Sequence, residues 1–273
     1  MKKWMYTALI VVFAAIFLVS AGFLVHYYWN SSVQDQQYDD LAQIMEDNTV
    51  TPRPTDFDTD TTEKEDLSAL VEVTDPETGE TVRLLPQFKD LYLHNNQMVG
   101  WLIIPGTEIS YPVMQTPEQP DYYLKHNFKK ENSDHGCLYA REVCDINKPS
   151  DNITIYGHRM KDGTMFARLD KFMERSFFEE NPYIYFDTLQ EQHTYQVLSV
   201  FRTSATVGKG FAYHAFVDAG NEEEFLDFVD TCKDLSLYDT GVTAAYGDKL
   251  ITLSTCEYSQ ENGRLVVVAK RIR

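Results

Sequence analysis

The chain has 273 residues, with 42 Asp and Glu against 24 Lys and Arg, a formal net charge of −18, and four cysteines. That acidity excludes nucleic acid as a natural partner, because phosphate binding needs the opposite sign. Four cysteines without regular spacing do not make a disulfide framework, and no C-x-x-C or H-x-x-x-H pair offers a metal site, so neither a metal nor a cofactor is expected.

Met5 to Val25 contains no Asp, Glu, Lys or Arg, and Lys2 and Lys3 stand just before it. As a helix this run would rise about 30 Å, the thickness of a bilayer's hydrocarbon core. A cleaved signal is the rival reading, but its apolar core is usually about 7–15 residues, and Val19-Ser20-Ala21 is a poor cleavage site. Tyr27, Tyr28 and Trp29 supply an interfacial aromatic belt. Residues 1–4 are therefore expected in the cytoplasm, 5–28 as a single transmembrane anchor, and the remainder outside the cell.

Residues 29–80 read as an acidic, mostly disordered extracellular spacer. Between Ser31 and Glu80 fifteen acidic residues face two basic ones, Arg53 and Lys64, a net of −13 that leaves −5 for everything else. Such a segment cannot bury enough apolar surface to offset its ordering entropy, and its like charges extend it. A helical patch near Tyr38 to Met45 is compatible with the sequence. A partner-binding acidic tail is the functional alternative to a plain spacer.

From Thr81 to Arg273 the composition is that of one globular domain with a real core. "PQFKDLYLHNN" reads as a short helix with Phe88, Leu91 and Tyr92 on one face, leading into a strand at Trp101 to Ile104. Further short runs rich in Val, Ile, Tyr and Thr follow: "EISYPVM", "GCLYA", "NITIYG", "YIYFDT", "TYQVLSVFRT", "KLITLST" and "RLVVVAKRI". Together they predict a closed or nearly closed antiparallel barrel. Two amphipathic helices interrupt the strands. One carries Met165, Phe166, Leu169 and Phe172. The other carries Phe225, Phe228, Val229 and Cys232 after an acidic first turn.

Three cysteines have plain explanations. Cys232 lies on an apolar helix face, Cys137 beside an apolar strand, and Cys144 in a loop. Cys256 differs. Alternation along "LITLSTC" puts Leu250, Thr252, Ser254 and Cys256 on one face, so the strand becomes polar where it ends. A turn containing Asn262-Gly263 follows, and then Arg264. In a hairpin the thiol and the guanidinium would sit at the same end of neighbouring strands, about 5 Å apart between backbones, and the fixed positive charge would favour thiolate. The local sequence equally allows Arg264 to pair with Glu257 or Glu261 at the surface. A thiol nucleophile also wants a proton donor for its leaving group. Of seven histidines, His158 alone directly follows a strand, "NITIY", and one glycine, which places it at the rim of the sheet.

These residues carry a resemblance to the class B sortases of Gram-positive cell surfaces. "TLSTC", residues 252–256, matches the family's T-L-x-T-C signature. "YGHRMKDGTMFARL", residues 156–169, resembles the segment around its catalytic histidine, and Arg264, eight residues after the cysteine, fits its arginine. The helix from about Glu222 to Leu237 is similar to the class B insertion, and "VGWLIIPGTEISYPVMQ" resembles the first strands. The resemblance implies an eight-stranded sortase-type β-barrel, mostly β, with an N-terminal helix and a long helix before the cysteine strand. It implies a Cys256–His158–Arg264 transpeptidase that cleaves the C-terminal sorting signal of secreted proteins after threonine. The acyl group would pass to an amine of the peptidoglycan cross-bridge or its lipid-linked precursor. Ser254, Thr255, Glu257 and Tyr156 are the candidate substrate-binding residues. The alternative activity is a thiol peptidase using water as acceptor.

Overall fold

The computed structural model describes residues 2–49, 70–206 and 208–273. Helix α1 spans Lys2–Asp47, 46 residues without a break. Its apolar part reaches a mean hydropathy of 2.9 over an 18-residue window and is long enough to cross a membrane. The helix runs on through residues given to the acidic spacer, well beyond the patch at Tyr38 to Met45, because helical hydrogen bonding needs no tertiary core and Gln, Leu, Ala, Met and Glu between Gln36 and Glu46 are good helix formers. The centre of the spacer, residues 50–69, lies outside the described residues.

At the spacer's other end, strands β1 (Val71–Thr74) and β2 (Thr81–Leu84) pair antiparallel. The folded part therefore begins about ten residues before the expected boundary at Thr81. Asp75 makes this hairpin possible in an acidic stretch. Its carboxylate accepts from the Tyr92 hydroxyl at 2.7 Å and from the backbone N–H of Glu77 and Thr78, which hold it well below the usual carboxylate range. A 3-10 turn, Pro86–Phe88, then leads into α2 (Lys89–His94), which buries Phe88, Leu91 and Tyr92 as their spacing predicts.

Eight strands close the barrel: β3 (Met98–Ile103), β4 (Ser110–Met114), β5 (Leu138–Ala140), β6 (Asn152–Tyr156), β7 (Tyr183–Thr188), β8 (Thr194–Ser204), β9 (Leu250–Glu257) and β10 (Gly263–Arg271). Their order around the barrel is β10-β8-β7-β3-β4-β5-β6-β9. Each falls on one of the apolar runs read from the sequence. The expectation of an all-antiparallel sheet needs correction, since β4–β5 and β6–β9 pair in parallel. A parallel pair requires a long crossover. Residues 115–137 provide one, and the chain between β6 and β9 provides the other.

Cross-strand pairing sorts the two faces of the sheet. Ile251, Leu253 and Thr255 on β9 lie beside Ala269, Val267 and Leu265 on β10, and all are buried in the barrel interior. The opposite face of the same strands carries Leu250, Val266 and Val268, which pack with Phe201 under Phe225, Phe228, Val229 and Cys232 of α4 (Glu222–Asp234). Asn221 caps α4 by accepting from the Glu224 N–H at 3.0 Å, and the Glu224 carboxylate reaches back to the Gly220 N–H at 2.7 Å. Each buried aromatic or aliphatic side chain on that helix contributes roughly 2 kcal/mol of burial. The other expected helix forms as a 3-10 helix, Phe166–Met173, followed by a short α3 (Arg175–Glu180) that the sequence did not announce. Three residues per turn put Phe166, Leu169 and Phe172 on one line, and all three are fully buried.

Candidate active site

The hairpin expected from "LITLSTC…NGR" forms. Arg264 pairs directly with Cys256 across β9 and β10, which sets their Cα atoms about 5 Å apart with both side chains on the same face. The turn between them closes at Asn262, whose φ of 51° suits asparagine, and at Gly263. On its other side β9 lies parallel to β6, with Tyr156 level with Ser254. The Gly157 N–H donates to the Ser254 carbonyl at 3.2 Å, and the Thr255 hydroxyl donates to the Gly157 carbonyl at 2.8 Å. The paired register ends at Tyr156 and Ser254, and His158 follows two residues beyond the end of β6. Cys256 and Arg264 thus stand side by side at one end of the sheet, and His158 emerges past the end of the strand on the other side of β9.

Gly157 is required at the step before the histidine. A Cβ there would lie 2.4 Å from Leu138 Cδ2 and 2.7 Å from the Phe166 ring, closer than any side chain can approach. The His158 imidazole places Nε2 2.7 Å from the carbonyl of Leu124. The Arg264 guanidinium donates to the carbonyl of Gly263 at 3.0 Å. Among the described residues no carboxylate forms an ion pair with it. The alternative of an Arg264–Glu257 pair does not form, because both Glu257 oxygens accept from Ser259, its N–H and its hydroxyl. Those bonds to Ser259 hold the Glu257 carboxyl below its ordinary range against the opposing effect of burial, which is the largest single influence on it.

The four cysteines separate by environment. Cys137, Cys144 and Cys232 are buried and Cys256 is half-exposed; all four are free thiols. Burial alone pushes the Cys232 thiol far up, and burial also raises that of Cys144. Cys144 does lie in a loop, as expected, yet it is buried with its thiol 3.6 Å from the Asn152 carbonyl.

Of the four candidate substrate-binding residues, the sheet brings two to the Cys256 face. Ser254 is buried, with its hydroxyl 2.6 Å from that of Tyr213. Tyr156 is half-buried, its ring 5.5 Å from Tyr139, and desolvation pushes its phenol far up. Thr255 and Glu257 fall on the opposite face by alternation. Thr255 is spent joining β9 to β6, and Glu257 is buried at the end of β9.

Three residues of this face escaped the sequence. Tyr213 and His214, in the long connection between β8 and α4, lie over it, and Arg141 at the end of β5 donates through Nη1 to the His214 carbonyl. Burial, Arg141 and Arg264, in that order, hold the His214 imidazole below its usual value. "FAYHAF" has no periodicity, and a 73-residue separation joins Arg141 to His214, so nothing local could have found them.

The family model for the sortase domain matches residues 102–272. The chain is 34% identical over 189 residues to sortase B of Listeria monocytogenes, covering 68% of this chain and 74% of that one. It is 33% identical over 190 residues to sortase B of Staphylococcus aureus, covering 69% and 75%. The structure of a Staphylococcus aureus sortase B–substrate complex superimposes with a TM-score of 0.70 at 26% identity, over 90% of this chain and 99% of that one. A sortase B from Bacillus anthracis in complex with AAEK1 gives 0.67 at 30% identity, again over 90% and 99%. The chain belongs to the sortase family of cysteine transpeptidases, in class B.

Proposed function

We propose that this sortase uses Cys256 as nucleophile, His158 as general acid and Arg264 as the oxyanion and backbone holder. The carrying observation is the direct pairing of Cys256 with Arg264 across β9 and β10, with His158 just past the end of β6 on the other side of β9. The Cys256 thiolate attacks the carbonyl carbon of the threonine in a C-terminal sorting signal. The C–N bond breaks, His158 gives its proton to the departing amine, and an acyl thioester remains on Sγ. An amine of the peptidoglycan cross-bridge or its lipid-linked precursor then attacks the thioester, releasing the thiolate and joining the secreted protein to the wall. Arg264's planar fork stabilises the developing oxyanion, a role worth a few kcal/mol in comparable sites. Ser254 and Tyr156 line the substrate path on the same face. A Staphylococcus aureus sortase B–substrate complex and a sortase B complexed with triglycine are among the similar structures, and both support a peptide substrate with an amine acceptor.

The apolar stretch of α1 anchors the enzyme in this reading, with Lys2 and Lys3 inside, the catalytic domain outside, and residues between helix and hairpin serving as spacer. Protease added to intact protoplasts removes the domain if the orientation is right; full protection contradicts it. Incubating the full-length enzyme in detergent with sorting-signal peptides, with and without added amine, tests the chemistry. Ligated product that disappears in Cys256→Ala is expected. Hydrolysis alone, unchanged by amine, would replace the transpeptidase with the thiol peptidase.

A further inference from the structure

The long crossover that makes β4 and β5 parallel does more than connect them. Its segment from Tyr123 to Cys137 folds back on itself, with the Cys137 N–H donating to the Tyr123 carbonyl at 2.9 Å and the Ser133 N–H to the Lys125 carbonyl at 2.9 Å. Two atoms of this folded loop grip the His158 region at separate points. The Leu124 carbonyl lies 2.7 Å from His158 Nε2. His135, only 2% exposed, places its Nε2 3.0 Å from a carboxylate oxygen of Asp162. Asp162 sits at the tip of the loop that begins at His158 and closes when the Phe166 N–H donates to the His158 carbonyl at 2.8 Å. Its other oxygen accepts from the Thr164 N–H at 3.0 Å and hydroxyl at 2.6 Å. Gly136 fixes the spacing between the two grips. Its φ is 59°, and a Cβ there would lie 2.4 Å from the Tyr123 carbonyl oxygen and 2.8 Å from that of Leu124.

A carbonyl oxygen can only accept, so the nitrogen facing it carries the proton. We infer that the Leu124 carbonyl holds His158 in the Nε2–H tautomer, with His135 and Asp162 as positioning residues that keep the ring there, so that Nδ1 is the nitrogen that exchanges protons with Cys256 and the leaving amine. This rests on the general-acid role proposed for His158. In the imidazolium both nitrogens bear protons, Nε2–H directed at Leu124 and Nδ1–H at the amine. Donation from Nδ1 leaves the neutral Nε2–H form that the carbonyl already favours, so the ring need not flip between half-reactions. Nothing outside the loop has to move for the cycle to restart.

Histidine-selective 15N labelling of the full-length enzyme in detergent reads the tautomer directly, with His158 assigned by its loss in His158→Gln. A pyrrole-type Nε2 and a pyridine-type Nδ1 in the neutral ring are expected; the reverse would overturn the inference, whatever the variants do. His135→Leu should lower kcat by roughly tenfold, the scale of a small misplacement of a catalytic group, with KM nearly unchanged. It should also blur the His158 pattern toward a mixture of tautomers, and His135→Gln, which can still donate to Asp162, should recover most of the rate. Wild-type kcat in a folded His135→Leu enzyme would remove the pair from catalysis. If Cys256→Ala stayed active, the functional reading would fall while the tautomer measurement stood.

Discussion

The outer face of β8, β9 and β10 is one continuous surface with two fates. Where α4 covers it, Leu250, Val266, Val268 and Phe201 form core with Cys232. Past the end of that cover the same strands present Cys256 and Arg264. Both cysteines therefore belong to one layer of the molecule, yet Cys232 is fully buried with its thiol driven far toward the neutral form, while Cys256 is half-exposed opposite a guanidinium. In the function proposed here, the reagent is the thiol that stands beyond the edge of the helix, where solvent and a guanidinium reach it.

The sharpest way to break that contrast is to exchange the two sites' fortunes. Cys256→Ala should reduce ligation by about a thousandfold or more, as loss of a nucleophile does. Cys232→Ala should keep its turnover and lose about 1 kcal/mol of stability to a small cavity. Peptide ligation and thermal unfolding on both variants measure this; substantial turnover by the Cys256 variant would end the distinction. Arg264→Lys comes next. It keeps the charge but loses the fork, and if Arg264 works by geometry, ligation should fall by roughly a hundredfold. Near-normal activity would make it only an electrostatic neighbour.

Alkaline stability sharpens the comparison from the buried side. Cys232 and Cys144 have folded-state pKa values raised by burial. Their contribution is complete below the unfolded value of about 8.5 and is lost as pH rises above it, because only the unfolded chain then releases protons. Between about pH 8.5 and 9.5 each costs up to about 1.4 kcal/mol, so Cys232→Ala should flatten the decline in denaturant midpoint. An unchanged slope would argue against that burial. The smallest effect belongs to the boundary itself. Tyr213→Phe deletes the 2.6 Å bond to Ser254 and should cost about 1 kcal/mol of stability, read as a lowered Tm, since the Ser254 hydroxyl stays buried without that partner.

Much of this was legible in the chain. All eight barrel strands lie on apolar runs because each strand buries at least one face, and period-two alternation records which one. The Cys256–Arg264 pair was legible as one of two alternatives, since two strands joined by so short a connection form a hairpin, here through the loop 258–262. Faces were less secure: the sequence offered Thr255 and Glu257 for binding, and the pleat turns both away. The parallel pairs were illegible, since nothing in "NITIY" records that it will lie beside "LITLS" with nearly a hundred residues between them.

The sequence by itself determined the apolar N-terminal helix, the acidic segment after it, the strands, the burial of Cys137 and Cys232 and the candidacy of Cys256 and Arg264, because those depend on local pattern and burial. Only the tertiary structure decided that β6 lies beside β9, that Leu124 offers its carbonyl to the His158 ring, and that Tyr213, His214 and Arg141 roof the same face. Each of those depends on a register between strands or loops far apart in the chain, which side-chain periodicity does not encode and chain closure does.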